Sequence, residues 1–554
     1  MALKKDVDPN LFNRRHPTYD GLRAHWDFVE STYHGGRAWF GTNVFKYVRE
    51  GDNEFADRKK RAYRFNHTRE VVDLVTKYVF KSDIHRSPDA PGSVKNFWRK
   101  ATRGGESIDT LMRQVDKSVS IFGQPYIVVD STVKENESGK KLTVAEIKNQ
   151  NARIYAYVAR PQDVLDVSYD MHGEINWILL HETGREDGDF FATDHDEYGL
   201  YRLWTRTHSF LYKVRIPTAS EIGKDIVIKP VGQTLHRFKP SASSASETAK
   251  KMVVDEMEAI EHGLGVVPVF PIRDRESDSQ YHAPALIDDI AYLDRANANY
   301  LSNLDAIIQD QTFSTLTIPV QSLESGSDMY SKVIELGTKR VFAWDAEGGE
   351  GPKYISPDPS QAGLILSVIT KIITEIYHSI GMAGERTKMD SGAGIDNSSG
   401  VAKSYDFDRM NTMLKSKADR LAHAENKIAE LVMLWSGESR PKRSKKEDEN
   451  GEHDPLVKYS DDFDTRGLYD DFDVANRLTL LGAPDELRRY QFSKLVDKLF
   501  PSLKKELREA IEKELTEWPI QEEVDVTNTK TSLKSQAKPE AENKQGQGTK
   551  TSAK

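Results

Sequence analysis

The stretch GMAGERTKMDSGAGIDNSSG (residues 381–400), running straight into VAKSYDFDRMNTMLKSKADRLAHAENKIAELVMLW (401–435), decides how the chain is read. Its first part places glycines at 381, 384, 392, 394 and 400 among Ser and Asp and has no apolar period, which is the composition of a loop. Its second part sets Val401, Tyr405, Met410, Leu414, Leu421, Ala424, Ile428, Val432 and Trp435 at helical spacing. Unbroken, a helix of that length reaches ~50 Å.

Upstream, two further helical patterns bracket a short mixed segment. Pro284–Gln311 carries Leu286, Ile290, Leu293, Tyr300, Leu304, Ile307 and Ile308 as one stripe, with Pro284 suited to a first turn; it would be ~42 Å long. Asp288, Asp289, Asp294 and Asp305 fall mostly off the stripe. Ser360–Ile380 resumes a largely apolar helix in which polar Ser367, Thr370/Lys371, Thr374 and His378 recur at helical spacing. Between the two, Thr315–Ile318, Val333–Leu336 and Arg340–Trp344 are strand-like, and EGGEGP (347–352) is a glycine-rich turn.

The first half is helical and then β. Tyr19–Tyr33, Arg69–Phe80 and Ser107–Phe122 show helical spacing, with Asn66 or Thr68 as the N-cap of the second. From Gln124 to Ile216 short β-branched and aromatic runs alternate with turns such as Asp170–Gly173, predicting an antiparallel β region. Pro240–Thr248 is a Ser/Ala loop. Beyond Asp461 an acidic and aromatic stretch precedes helices at Glu486–Phe500 and Ser502–Leu515, and 521–554 has the composition of a disordered tail. No internal repeat is present. The class is α+β.

Bulk composition narrows the function. With 554 residues, two to four domains are expected. The absence of cysteine excludes disulfides, thiolate zinc sites and a Cys nucleophile, and an intracellular folding environment fits. MALKKDVDPNLFNRRHP has no apolar core for a signal peptide. The most apolar run, Ala362–Ile380, is interrupted by Lys371, Glu375 and His378, so no membrane span is expected. A net charge of −9 argues against a tight duplex binder, though not against a conduit through which DNA slides.

Catalytic signatures are missing. There is no Walker A sequence, no HExxH and no GxSxG. His181-Glu182 lacks a second histidine, and the acidic turn at Asp194–Gly199 has Tyr198 and Thr205 where a calcium loop needs carboxylates. The glycines of GAGID (392–396) follow a helix rather than a strand, which is wrong for a dinucleotide fold. The basic run Arg440–Lys446 is followed at once by acids and reads as a solvated loop.

The order of these pieces resembles the portal proteins of tailed bacteriophages over residues 15–515. RAYRFNHTREVVDLVTKYVFKSDI (61–84), HGLGVVPVFPI (262–272) and SGVAKSYDFDRMNTMLKSKADRLAHAENKIAELV (399–432) resemble the family locally. The resemblance implies a wing at 1–283, stem helix 1 at 284–311, a clip at 312–358, stem helix 2 at 359–380 and a tunnel loop at 381–400. It further implies a long wing helix with its connecting loop at 401–460 and a crown at 461–520, ahead of the tail at 521–554. It implies a non-enzymatic ring, a dodecamer in the family, at one capsid vertex of the virion, assembled in the bacterial host cytoplasm. Double-stranded DNA would pass through it during packaging and ejection.

The expected partners are the terminase large subunit, a head–tail adaptor, and the major capsid and scaffolding proteins, with no membrane and no cofactor or metal. Arg386 and Lys388 would touch DNA from the tunnel loop, and Asp288, Asp289, Asp294 and Asp305 would be channel-facing acids. Two other classes remain at this stage: another oligomeric phage capsid or connector protein, and a nucleic-acid-processing enzyme whose carboxylates converge only in three dimensions.

Overall fold

Helical and extended stretches follow one another as the sequence periodicities set them. The computed structural model describes residues 10–48, 50–82, 84–132, 153–185, 197–215, 254–312, 315–319, 341–344, 354–355, 360–381, 400–438, 455–460 and 484–499, with a few isolated positions besides. Mixed helix and sheet makes the fold α+β. The chain divides into two compact units, 1–464 and 465–554.

In the first unit, α1 (Asn10–Asn13), α2 (Tyr19–His34), α3 (Arg37–Asn43), α4 (Asp52–Arg61), α5 (His67–Val79), α6 (Gly92–Arg99) and α7 (Ile108–Phe122) come first. Asn66 caps α5 by accepting the Arg69 N–H at 2.9 Å, which satisfies one of the helix's orphan donors. A small sheet places β2 (Tyr126–Ser131) between β3 (Ile154–Ala159) and β9 (Val269–Pro271), all antiparallel. A second, fully antiparallel sheet runs in chain order: β4 (Val164–Tyr169), β5 (Ile175–Arg185), β6 (Glu197–Thr205), β7 (His208–Arg215) and β8 (Val254–Glu261). The antiparallel expectation therefore holds, while β8 and β9 lie in stretches not expected as strands.

The second half of this unit contains α8 (Asp288–Thr312), α9 (Ser360–Ser379) and α10 (Gly400–Ser436). Between α8 and α9, β10 (Thr315–Pro319) pairs in parallel with β11 (Val341–Trp344) and antiparallel with β12 (Tyr354–Ile355). The strand expected at Val333–Leu336 lies outside the described residues. A short ribbon joins β1 (His85–Arg86) to β13 (Val457–Lys458). In the second unit, α11 (Asp485–Leu499) matches the helix expected from Glu486.

One boundary differs from expectation. Helix α8 begins at Asp288, four residues after Pro284, which is exposed in irregular chain. The Asp288 carboxylate accepts the Ala285 N–H at 2.8 Å, so it serves the turn that leads into the helix.

The main core forms where α5, α7, β2 and α10 meet. Val71, Val72 and Val75 of α5, Leu111 and Val115 of α7, and Ile127 to Val129 of β2 are wholly buried against Leu414, Leu421 and Ile428 of α10. The Trp435 indole N–H donates to the Val129 carbonyl at 3.1 Å, fixing the far end of α10 to the sheet. Gly123 closes α7 at φ +75°, and a Cβ there would overlap the Ala283 carbonyl, so only glycine lets the two backbones approach. Separate apolar contacts join Trp39, Phe40 and Val44 to Ala298 of α8, and Leu301 and Leu304 of α8 to Ile369 of α9.

Candidate functional site

The two bracketed helices and what fixes them make up the candidate site. The first turn of α5 holds both. Thr68 donates its hydroxyl and its N–H to Asp294 Oδ2 of α8 at 2.8 and 3.2 Å. His67 Nδ1 lies 3.1 Å from the Tyr377 hydroxyl of α9, and that hydroxyl donates to Glu70 at 2.8 Å. Asp294 and Tyr377 therefore meet α5 at one level, while Leu304 and Ile369 pack farther along, so α8 and α9 run antiparallel.

Charge at this junction is taken out of water. Asp294 is 1% exposed and faces the Arg64 guanidinium at 3.4 Å. Burial pushes the Asp294 carboxyl above its ordinary range, against the opposing pull of Arg64 and Thr68. Burial likewise lowers Arg64, more than Asp294 raises it. Desolvation outweighs the attraction on both partners. A second buried ion pair sits nearby: Arg58 binds Glu50 through two 2.7 Å bonds and reaches Ser302 of α8 at 3.0 Å. Glu50 is held below its usual range, chiefly by Arg58.

The four acids expected to face a channel do not share a face. At ~100° per residue, Asp294 and Asp305 lie on one side of α8 and Asp288 and Asp289 on others. Asp294 is enclosed within the chain and is unavailable to any wall. Asp305 is partly covered, accepting from Gln309 at 2.9 Å with Arg61 at 3.5 Å. Asp288 meets His25 Nε2 at 2.9 Å as well as the Ala285 N–H. Asp289 is exposed. Arg386 and Lys388, the rest of residues 382–399 within the tunnel loop expected at 381–400, the basic run 440–446 and residues 521–554 lie outside the described residues.

Two buried charge clusters were not anticipated. Lys417 of α10 is enclosed between Asp116 (3.2 Å), Asp274 (2.9 Å) and Ser120 (2.7 Å), with Thr76 donating to Asp116 at 2.6 Å. Burial pulls the ammonium down, but the two carboxylates outweigh it and the net shift is upward. Glu425, also on α10, accepts from Arg86 at 2.6 Å and from Tyr459 at 2.8 Å. A sequence signal existed for both, since Lys417 and Glu425 stand within the apolar stripe of α10 rather than off it.

Among the described residues, no group of three His, Asp or Glu side chains converges as a metal cage. None of the described helices is long and apolar enough to cross a membrane. No protein-family model matches the chain, and no curated protein matches it. Among solved structures, it matches a chain of "Neck of empty GTA particle computed with C6 symmetry" at 9% identity, covering 80% of this chain and 97% of that one with a TM-score of 0.34. A likeness at that level decides neither fold nor function.

Proposed function

We propose that this chain is the ring-forming portal subunit of a tailed bacteriophage, a virion protein that conducts double-stranded DNA during packaging and ejection. In that role it docks the terminase motor and, later, the head–tail adaptor, and it meets the capsid and scaffolding proteins. The observation that carries the reading is one arrangement: two antiparallel helices bracketing a three-stranded insert, followed by the 37-residue helix α10. A single such hairpin encloses nothing. Repeated about an axis, it makes a wall of tilted helices with a bore set by the number of copies.

Exposed apolar side chains on the hairpin support self-association. Leu364, Leu366 and Ile308 are 68, 50 and 48% exposed. Burying one such side chain fully is worth ~1.5–3 kcal/mol, and a head-to-tail contact between copies makes a ring when its rotation closes on itself. Within the ring, the exposed Asp289 and the partly covered Asp288 and Asp305 are the described acids of α8 assigned to a channel, where like charge keeps phosphates off the wall. Arg386 and Lys388 are assigned to reversible phosphate contact from the loop before α10.

Native mass spectrometry tests the assembly. The reading requires a closed multiple of the 62.8 kDa subunit, twelve in the family it resembles, and a monomer at micromolar concentration contradicts it. A packaging assay on particles carrying Arg386→Ala/Lys388→Ala tests the loop: slower packaging or less packaged DNA is expected, and unchanged values remove these two residues from the account.

A further inference from the structure

A basic groove runs along one face of α10. About 1270 Å³ in volume, it is formed by one face of α10, from Thr412 to Lys427, and by the chain from Phe270 to Asp278. Arg273, Arg275, Lys415, Arg420, His423 and Lys427 line it, in a protein whose net charge is −9. On α10, Lys415, Asp419, His423 and Lys427 follow one another every four residues, so two lysines, a histidine and one acid form a row along one face.

Among the described residues, the positive charge is not used up internally. The nearest buried carboxylate, Asp274, is taken by Lys417 at 2.9 Å and stands 3.8 Å from Arg275. Among the described residues, Lys427 pairs loosely with Glu430 at 3.8 Å. Lys415 is exposed and Arg420 partly so, and neither forms an ion pair with a described residue. Arg273 is oriented by its 3.1 Å bond to Gln124. The Lys417 cluster thus fixes the two walls and leaves the surface cations for an outside partner.

The rest of the lining decides which anion fits. Phe270 and Pro271, both partly exposed, give the groove apolar surface, while Glu276, Asp278 and Asp419 stand among the cations. Those three carboxylates oppose any uniformly charged anion, and a phosphate backbone would besides leave the apolar surface wet. A strand of acidic residues alternating with apolar ones can place its carboxylates on the cations and its apolar side chains on the surface between them. Thr412 to Lys427 spans ~22 Å along the helix, enough for roughly seven residues of extended peptide. We infer that this groove is a docking site for an acidic, apolar-interleaved peptide segment of a partner protein.

Fluorescence anisotropy on the full-length protein tests the inference. The probe is a labelled twelve-residue peptide alternating Asp or Glu with Leu or Phe, and the control peptide has Lys in place of each acid. Expected are binding of the acidic peptide alone, weakening as salt rises, and a loss of at least tenfold in Lys415→Glu/Arg420→Glu. The same charge change at exposed Lys60→Glu/Lys77→Glu should leave the affinity intact. Should the reversed pair fail to fold, Lys415→Gln/Arg420→Gln carries the same test with a loss of several-fold.

Three results would overturn the assignment. The first is no binding of the acidic peptide, or unaltered binding by the groove variants. The second is a single-stranded oligonucleotide that displaces the peptide and binds more tightly, which gives the groove to nucleic acid. The third is a changed oligomeric state in the groove variants, which makes it a contact between copies of this chain.

Discussion

Lys417 shows how a single residue can hold three segments at once. Its ammonium joins α10 to α7 through Asp116 and Ser120, and to the chain after β9 through Asp274. Replacing it by Met strands two carboxylates out of water, which should cost ~3–5 kcal/mol in urea denaturation. Because the folded pKa is raised above 10.5, the ammonium's contribution is complete at neutral pH and is lost only as pH rises through the folded value. Histidines act at the other end of the scale. Burial lowers His262, whose Nε2 meets the Thr205 carbonyl at 3.0 Å, and also lowers His282. The fold favours the neutral rings, so stability should fall as pH drops below the ordinary histidine value of 6.5. Thermal melts between pH 7.5 and 5.5 should show this fall, and His262→Gln/His282→Gln should make the slope shallower.

At the scale of elements, the clearest dependence is on close backbone approach and on the first turn of α5. Gly123→Ala must push the end of α7 away from Ala283 at a backbone angle that L-residues avoid, and should cost more than ~2 kcal/mol. Tyr377→Phe removes the hydroxyl between His67 and Glu70 and should cost ~1 kcal/mol, loosening α9 while leaving α8 held by Thr68. Hydrogen exchange would localise the change to α9.

These elements were unevenly legible from sequence. Helices α2, α5, α7, α9 and α10 were readable because their apolar positions keep a helical period over three or more turns. The strands from β2 to β7 were readable from β-branched and aromatic runs. Strand β8 escaped because Val254-Asp-Glu-Met-Glu-Ala-Ile-Glu261 is acidic and its place is set by pairing with β7. The start of α8 was misplaced because Pro284 fits a first turn, whereas the Asp288 side chain closes a turn just before the helix. Asp294 looked like a surface acid because nothing local records Arg64 and Thr68, more than 200 residues away. The cations of the α10 groove were visible one by one, but their convergence with Arg273 and Arg275 is a property of the packed chain.

On the scale of the whole molecule, the account requires that the hairpin of α8 and α9 be completed by other copies. Leu364→Glu/Leu366→Glu should therefore block assembly while leaving the subunit's circular dichroism unchanged, as read by sedimentation. The decisive measurement is electron microscopy of the purified protein with top-view class averages. The account predicts a closed ring whose central opening admits duplex DNA, with the helical hairpins lining it. Single subunits, or a closed assembly with no opening wide enough for the duplex, would contradict it.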